Sequence, residues 1–432
     1  MSMGIHTAID TVTADLGRPG LLERQARRLL FGRLANLSAG HIEITDATGR
    51  ASFGDPDAPA HLHCRITVRR PRFYRRMLTG GSLAAAAAYL DGDWDCDDLA
   101  ALFRATLRGL GRDDMDRGTG LADAAARVGH WLRRNTKSGS RRNIQDHYDL
   151  GNDLFALFLD EGMTYSAGIF ASPETTLEQA QYAKLDRLCR KLDLGPDDHV
   201  LEIGTGWGSF ALHAAGEYGC RVTTTTLSPA QYAVAERRVR EAGLADRVTL
   251  LQTDYRDLTG TYDKLVAIEM IEAVGADHLQ PFFARCAERL TPEGRMAIQV
   301  ITTGEQYYAA YRRSVDFIQR YVFPGSHCPS LGAVVAASGS ASDLRVTHIE
   351  DLTGHYADTL RSWRARFLAR LPEVRELGYP DRFIRLWDYY LQYCEAGFEE
   401  RHIGDLQIVF AKPDCRDDSL LPRLPDPRGA VS

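Results

Sequence analysis

The stretch that most constrains how this chain can fold runs from Val200 to Phe210, Val-Leu-Glu-Ile-Gly-Thr-Gly-Trp-Gly-Ser-Phe. An apolar run carrying one acidic residue meets Gly204, Gly206 and Gly208, and a helix-like segment follows. This is the pattern of a buried strand, a tight turn and a helix start. Glycine in such a turn lets the backbone take positive φ and approach a ligand closely. The spacing G-x-G-x-G differs from the dinucleotide fingerprint G-x-G-x-x-G. Alone, the turn is a weak signal, and a glycine turn with no ligand is the alternative.

The surrounding pattern supplies the context. From Leu194 onward apolar runs alternate with helical stretches, with strands expected at 199–203, 221–227, 248–253, 264–269, 295–301, 345–350 and 406–411. Alternation of this kind implies a mainly parallel sheet covered on both faces. The last strand follows a long helical region, so it is expected to insert as the antiparallel member of a seven-stranded mixed α/β sheet. Upstream, residues 1–36 read as helical, 41–45 and 50–53 as a hairpin, and Leu62, Cys64, Ile66 and Val68 as a further alternating strand. A helical pattern then runs from Pro71 to Leu110, broken at Gly80-Gly81 and Asp91-Gly-Asp93. With 432 residues there is room for more than one domain. The expected division is a small N-terminal α+β domain (1–130) with a lipid or accessory role, a basic linker (131–145), the α/β domain (146–412) and a disordered, proline-rich tail (413–432).

Composition excludes several classes. A net charge of −6 argues against general nucleic-acid binding. No apolar run reaches the ~18 to 20 residues of a membrane span, and no basic-then-apolar leader is present. The eight cysteines lack C-x-x-C spacing and suit reduced thiols in a cytoplasm. His61, His63 and Cys64 fit the face of an alternating strand better than a metal site. Residues 131–142 carry Arg133, Arg134, Lys137, Arg141 and Arg142 and no acid. They read either as a solvated connector or as a patch for anionic lipid head groups.

Ligands of such sheets sit beyond the carboxyl ends of the strands. Three successive strand ends carry the glycine turn, Thr226-Leu-Ser-Pro-Ala-Gln231, and Thr253-Asp254-Tyr255. Asp254 could accept from an adenine amino group and Tyr255 could flank its ring. Ser228-Pro229-x-Gln231 is also a complete helix start in its own right, and Asp254 could be an ordinary loop residue. Together the three ends point to an adenosine-type ligand.

Beyond these features the sequence resembles the cyclopropane-fatty-acid synthase family of S-adenosylmethionine-dependent methyltransferases. The resemblance rests on His147-Tyr-Asp-Leu-Gly-Asn-Asp-Leu-Phe155, Met163-Thr-Tyr-Ser166, the glycine turn, Thr226-Leu-Ser-x-x-Gln231, Asp254-Tyr-Arg-Asp257, Glu269-Met-Ile-Glu-Ala-Val-Gly275 and Tyr321-Val-Phe-Pro324. Tyr356-Ala-Asp-Thr-Leu360, Tyr389-Tyr-Leu391 and, near the N-terminus, Tyr89-x-x-Gly-x-Trp94 also fit. The resemblance implies a class I (Rossmann-like) methyltransferase fold in which Tyr165, Ser166, Gly204, Gly206, Thr226, Gln231, Asp254 and Tyr255 contact S-adenosylmethionine. It implies methyl transfer to the cis double bond of an unsaturated phospholipid acyl chain, at the inner membrane surface, by a cytoplasmic homodimer needing no metal.

The resemblance also implies a base, a bound bicarbonate. Its ligands would be the position after the Tyr-Ser pair, a glutamate, a histidine, an isoleucine and a tyrosine. Glu272, Ile301 and Tyr356 match, whereas Ala167 stands in place of cysteine and Gln299 in place of histidine. A glutamine amide can still donate to an anion but does not titrate near neutrality. These departures leave a methylene- or methyl-branched product as the alternative to a cyclopropane. They also leave a non-catalytic lipid-binding protein as the alternative of another class. Glu272 itself could be a structural carboxylate.

Overall fold

The computed structural model describes residues 17–110 and 151–416. The basic segment 131–145, the His147–Leu150 part of the first motif and the tail beyond 416 lie outside the described residues. Two compact units emerge. Of the described residues, one holds 17–110, 313–322 and 363–402, and the other 151–312, 323–362 and 403–416. The division expected at 131–145 is therefore continuous in sequence where compactness is not.

The first unit has helix α1 (Leu21–Leu34), strands β1 (His41–Asp46), β2 (Gly49–Gly54) and β3 (His63–Val68), helix α2 (Arg72–Leu90), strand β4 (Trp94–Cys96) and helix α3 (Leu99–Gly109). The sheet order is β2-β1-β3-β4. The expected hairpin is present, and β3 lies parallel to β1. Strand β4 was not expected: it sits where the helical pattern breaks at Asp91-Gly-Asp93. Tyr89 and Trp94 meet across that turn with centroids 5.2 Å apart, and Gly92 takes φ 70°. The far segment 381–399 (Asp381–Glu399) is a helix of this same unit. Its Gln392 Oε1 accepts from Leu99 N–H and Ala100 N–H, supplying the acceptor that the start of α3 needs.

The second unit contains α4 (Asn152–Phe158), α5 (Leu177–Leu192), β5 (His199–Ile203), α6 (Ser209–Glu217), β6 (Arg221–Thr225), α7 (Pro229–Glu241), β7 (Val248–Leu251), β8 (Tyr262–Ile268), α8 (Leu279–Arg289), β9 (Leu290–Thr303), α9 (Glu305–Tyr311), α10 (Leu331–Ala341), β10 (Arg345–Asp351), the start of α11 (Thr353–Ala369) and, last, β11 (Ile403–Ala411). The sheet order is β10-β11-β9-β8-β5-β6-β7. Only β11 runs antiparallel to its neighbours, as expected for the last strand.

Period-two alternation sorts the two faces. Leu201, Ile203, Met296, Ile298, Ile408 and Phe410 pack on one side with Phe282 and Phe283 of α8. Val200, Val266, Ala297 and Val409 pack on the other with Leu185 and Leu188 of α5. The same parity sends Glu202, Gln299, Asp405 and Gln407 toward α5, and all four are buried. A polar layer thus lies inside an otherwise apolar sandwich. Helix α5 meets it with Lys184 and Lys191, both fully buried on the stripe that also carries Leu177, Leu188 and Leu192. Its start is closed by a capping box between Thr176 and Gln179. Removing the cap with Thr176→Ala is expected to cost about 1 kcal/mol in a urea titration.

Candidate active site

Strands β5, β6 and β7 are sheet neighbours, so their carboxyl ends fall side by side. Gly204, Gly206 and Gly208 all take positive φ (103°, 52° and 93°). The N–H groups of Gly204 and Thr205 donate to Thr225 O at 3.1 and 3.0 Å, which folds the turn over the end of β6. A side chain at Gly206 would meet nothing within 4 Å, so the turn faces open space. At Gly204 a Cβ would lie 3.2 Å from Met270 Cγ. The end of β5 is thereby pressed against the end of β8, at the point where the strand order reverses.

Thr226 Oγ1 donates to Gln231 Oε1 (3.0 Å), and Ser228 Oγ accepts Gln231 N–H (3.2 Å) as the cap of α7. The helix-start reading thus accounts for Ser228, while Thr226 and Gln231 form a second, buried polar pair. Asp254 is buried and held side-on by Arg256, with Nε–Oδ1 2.8 Å and Nη2–Oδ2 2.6 Å. Tyr255 packs edge-on to Phe282 at 5.5 Å, and burial pushes its phenol up to about 12.

The Met163–Ser166 segment is tied to the glycine turn. Arg238 donates to both Gly162 O (2.7 Å) and Trp207 O (2.8 Å), and Ser209 Oγ donates to Gly162 O (2.6 Å). Tyr165 stands among Phe155 (5.1 Å) and Phe323 (6.3 Å). Ser166 is buried, and its Oγ accepts from Lys184 Nζ at 2.6 Å. Met163 and Glu269 both carry positive φ without being glycine (53° and 47°), a backbone strain concentrated at functional sites.

The five residues tied by resemblance to the anion come together, but around side chains of the chain itself. Ala167 N–H (2.9 Å) and Gln299 Nε2 (2.8 Å) donate to Glu269 Oε1, and Tyr356 O–H donates to Glu269 Oε2 at 2.6 Å. Ile301 N–H donates to Glu272 Oε1, while Glu272 Oε2 is buried with no partner. Gln299 Nε2 also reaches Asp405 Oδ2 (3.0 Å), and its Oε1 accepts from Gln407 (3.0 Å). The glutamine amide expected to meet a free anion is therefore engaged on all sides. A separate bicarbonate does not fit this arrangement, because the donors it would need end on resident carboxylates.

Burial dominates the titration of this layer. It pushes Glu272 up to about 8, with the negative Glu269 nearby acting in the same direction. It pushes Glu202, which accepts from Thr224 Oγ1 at 2.6 Å, to about 8. It lowers Lys184 to about 8 against the pull of Glu269, Asp160, Asp405 and Glu202. Glu202 keeps its proton when folded but loses it near 4.5 when unfolded, so its contribution to stability is full below 4.5 and lost as pH rises through 8. Glu202→Gln is therefore expected to gain on wild type, in melting temperature, from pH 5 to about pH 8 and to level off above it.

Sequence reasoning passed over three members of this layer. Lys184 could have been found as a lysine inside the apolar stripe of α5. Asp405 could have been found as an acid on an inward parity of β11. Glu269 was visible as the first letter of a motif but not as a site residue.

A family model described as mycolic acid cyclopropane synthetase matches residues 135–408. The chain belongs to this family. It is 37% identical over 407 residues to the tuberculostearic acid methyltransferase UfaA1 of Mycobacterium tuberculosis, covering 88% of this chain and 91% of that protein. It is 36% identical over 375 residues to the cyclopropane-fatty-acyl-phospholipid synthase of Escherichia coli K12, covering 86% of this chain and 92% of that protein. A solved structure of the mycolic acid cyclopropane synthase CmaA1 complexed with SAH and CTAB aligns with a TM-score of 0.59 at 30% identity, over 63% of this chain and 98% of that one. The chain is thus an S-adenosylmethionine-dependent methyltransferase of the class I fold, and the non-catalytic alternative gives way to an enzyme. The open cradle at Gly206 and the buried polar groups at the three strand ends fit such a ligand.

Proposed function

We propose that the enzyme adds a methyl group from S-adenosylmethionine to the cis double bond of an unsaturated phospholipid acyl chain and closes a cyclopropane ring. The observation that carries this reading is the join between the glycine turn and the carboxylate cluster, where Gly204 backs onto Met270 and Ala167, next to Ser166, donates to Glu269. A methyl donor and a proton acceptor side by side suit an alkylation that ends in deprotonation. Gly204, Gly206, Thr226, Gln231, Asp254, Tyr255, Tyr165 and Ser166 are the residues that would hold S-adenosylmethionine, which supplies an electrophilic methyl when bound. An alkene is a poor nucleophile, so its placement by the surrounding side chains must supply much of the rate. Tyr165 and Phe323 offer ring faces to shelter the developing carbocation.

A second reading, methyl transfer without ring closure, is favoured by Ala167 and Gln299 and by the match to the tuberculostearic acid methyltransferase. Purified enzyme, S-adenosylmethionine and vesicles of cis-monounsaturated phospholipid separate the two. Release of S-adenosylhomocysteine with cyclopropane ring protons in the lipid NMR spectrum is the expected result. A vinylidene signal supports the second reading, and no release of S-adenosylhomocysteine sinks both. Glu272→Gln is expected to lower turnover about tenfold or more with S-adenosylmethionine affinity unchanged, and equal loss of both would put Glu272 in the donor pocket.

Action at a membrane surface as a homodimer belongs to the same proposal, supported by the family resemblance. No helix among the described residues is long and apolar enough to cross a membrane. The five basic residues of 131–142 supply attraction to anionic lipid, each worth about 1 kcal/mol near the surface. Neutralising them is expected to weaken sedimentation with anionic vesicles at low salt. Unchanged sedimentation would return the segment to a plain connector.

A further inference from the structure

Three donors from three separate parts of the chain converge on one carboxylate. Ala167 lies 102 residues from Glu269 in sequence, Gln299 30 and Tyr356 87. Such a cage of a backbone N–H, an amide N–H and a phenol is built for an anion, and each donor favours the ionised form of what it holds. Two donors fall on Oε1 and one on Oε2. A carboxylate offers about four acceptor positions, so one remains on Oε2. The donors Ala167, Gln299 and Tyr356 are buried, while Glu269 is only partly so. The uncovered surface of this cluster is therefore the carboxylate-bearing residue itself, one residue from the Met270 that touches Gly204.

The left-handed backbone at Glu269 shows how the side chain gets there. Parity along β8 would send residue 269 to the same side as Leu265 and Ala267, into the apolar layer with Phe282 and Phe283. The φ of 47° turns it out of that layer toward Ala167 and Tyr356. A non-glycine residue held there costs on the order of 1–3 kcal/mol, offset by the hydrogen bonds it gains.

We propose that the Glu269 carboxylate takes the place of a bound anion in this enzyme. Caged by Ala167, Gln299 and Tyr356, it is the base that deprotonates the newly added methyl group, and no bicarbonate is bound. The step rests on the reaction proposed above. The double-bond electron pair forms a carbon–carbon bond to the methyl as its bond to sulfur breaks, which leaves a neutral thioether and a carbocation on the neighbouring carbon. Glu269 Oε2 then takes one proton from the added methyl. The C–H electron pair becomes the ring-closing bond, and the resulting carboxylic acid returns its proton to solvent before the next turnover. Burial pushes both carboxyls up, Glu272 to about 8, and at Glu269 the hydrogen bonds from Tyr356, Ala167 and Gln299 and the nearby Lys184 oppose it.

The test titrates ¹³C-labelled bicarbonate into wild type, Glu269→Gln and Glu269→Ala and follows its NMR line width. Turnover is measured in parallel in buffer stripped of carbon dioxide. Wild type and Glu269→Gln are expected to show no saturable broadening, whereas Glu269→Ala, with the cage vacated, is expected to bind. Wild-type turnover should be the same with and without bicarbonate. Glu269→Gln should lose about 10²–10⁴ in turnover with its S-adenosylmethionine affinity unchanged, and added bicarbonate should restore part of the activity of Glu269→Ala. Saturable binding of bicarbonate to wild type, or loss of wild-type turnover on stripping, would overturn the proposal. So would a folded Glu269→Ala that binds no bicarbonate. If Glu269→Ala does not fold, the wild-type and Glu269→Gln arms decide. If wild type turns over no phospholipid in either buffer, the reaction reading fails while the line widths still report on the cage.

Discussion

Gly206→Val is expected to weaken S-adenosylmethionine binding about a hundredfold, equivalent to about 3 kcal/mol, in isothermal titration calorimetry. Gly206 sits at φ 52°, where an L residue pays about 1–2 kcal/mol and a β-branched one is least at ease. The added methyls would project into space that no protein atom occupies within 4 Å of the Cβ position. The cost to folding is therefore the backbone strain alone, and a melting curve should move by only a few degrees. A variant that melts as expected and still binds with wild-type affinity would remove the glycine turn from the donor site.

The second large effect is expected at Lys184. Its ammonium is fully buried, donates to Ser166 Oγ, and stands amid Glu269, Asp160, Asp405 and Glu202. Lys184→Met keeps the volume and removes the charge, leaving buried carboxylates without their cation. Breaking a buried pair in this way costs about 3–5 kcal/mol, read by urea unfolding at pH 7. The carboxylates respond by holding their protons more tightly. The groups facing Glu269 are then the donors Ala167, Gln299 and Tyr356 and the acids Glu272 and Asp405, and of the buried cations on α5 only Lys191, which acts on Asp405, remains. The acid limb of the turnover–pH profile should accordingly move to higher pH. An unshifted limb, with stability lowered, would make Lys184 a purely structural cation.

The sheet was legible because strands buried on one or both faces announce themselves by period and by apolar content. The end of the chain could be placed as the antiparallel member because β11 follows a long helical stretch rather than a βα unit. Strand β4 was not legible: at three residues, all buried, it shows no alternation, and its neighbours suit a helix. Helix 381–399, within the expected span 146–412, lies in the first compact unit. Its apolar face does not record whether it packs on the large sheet or on the N-terminal one, and only contacts such as Gln392 with Leu99 decide.

At the site, the strand-end residues Gly204, Gly206, Thr226, Gln231, Asp254 and Tyr255 stood out as candidates because parallel sheets bind ligands at those ends. Ala167 and Gln299 were visible as departures, but their consequence was not. The consequence depends on Glu269 leaving the parity of β8 through a positive φ that nothing in the local sequence demands, since glutamate is not a residue that favours it. Convergence of donors from the segment after Ser166, from β9 and from α11 is a tertiary fact, and an amide in place of a histidine makes sense only once the carboxylate it serves is seen.

The most direct measurement uses S-adenosylmethionine carrying a trideuterated methyl group, with the acyl chains of cis-monounsaturated phospholipid analysed by mass spectrometry after incubation with the enzyme. Methyl transfer followed by deprotonation of the added methyl gives a gain of one CD2 unit on the acyl chain, and that is the expected result. A product that keeps all three deuterium atoms, having lost its proton from elsewhere on the chain, would contradict the role given to Glu269. An acyl chain that gains nothing while the donor binds would contradict the reaction itself.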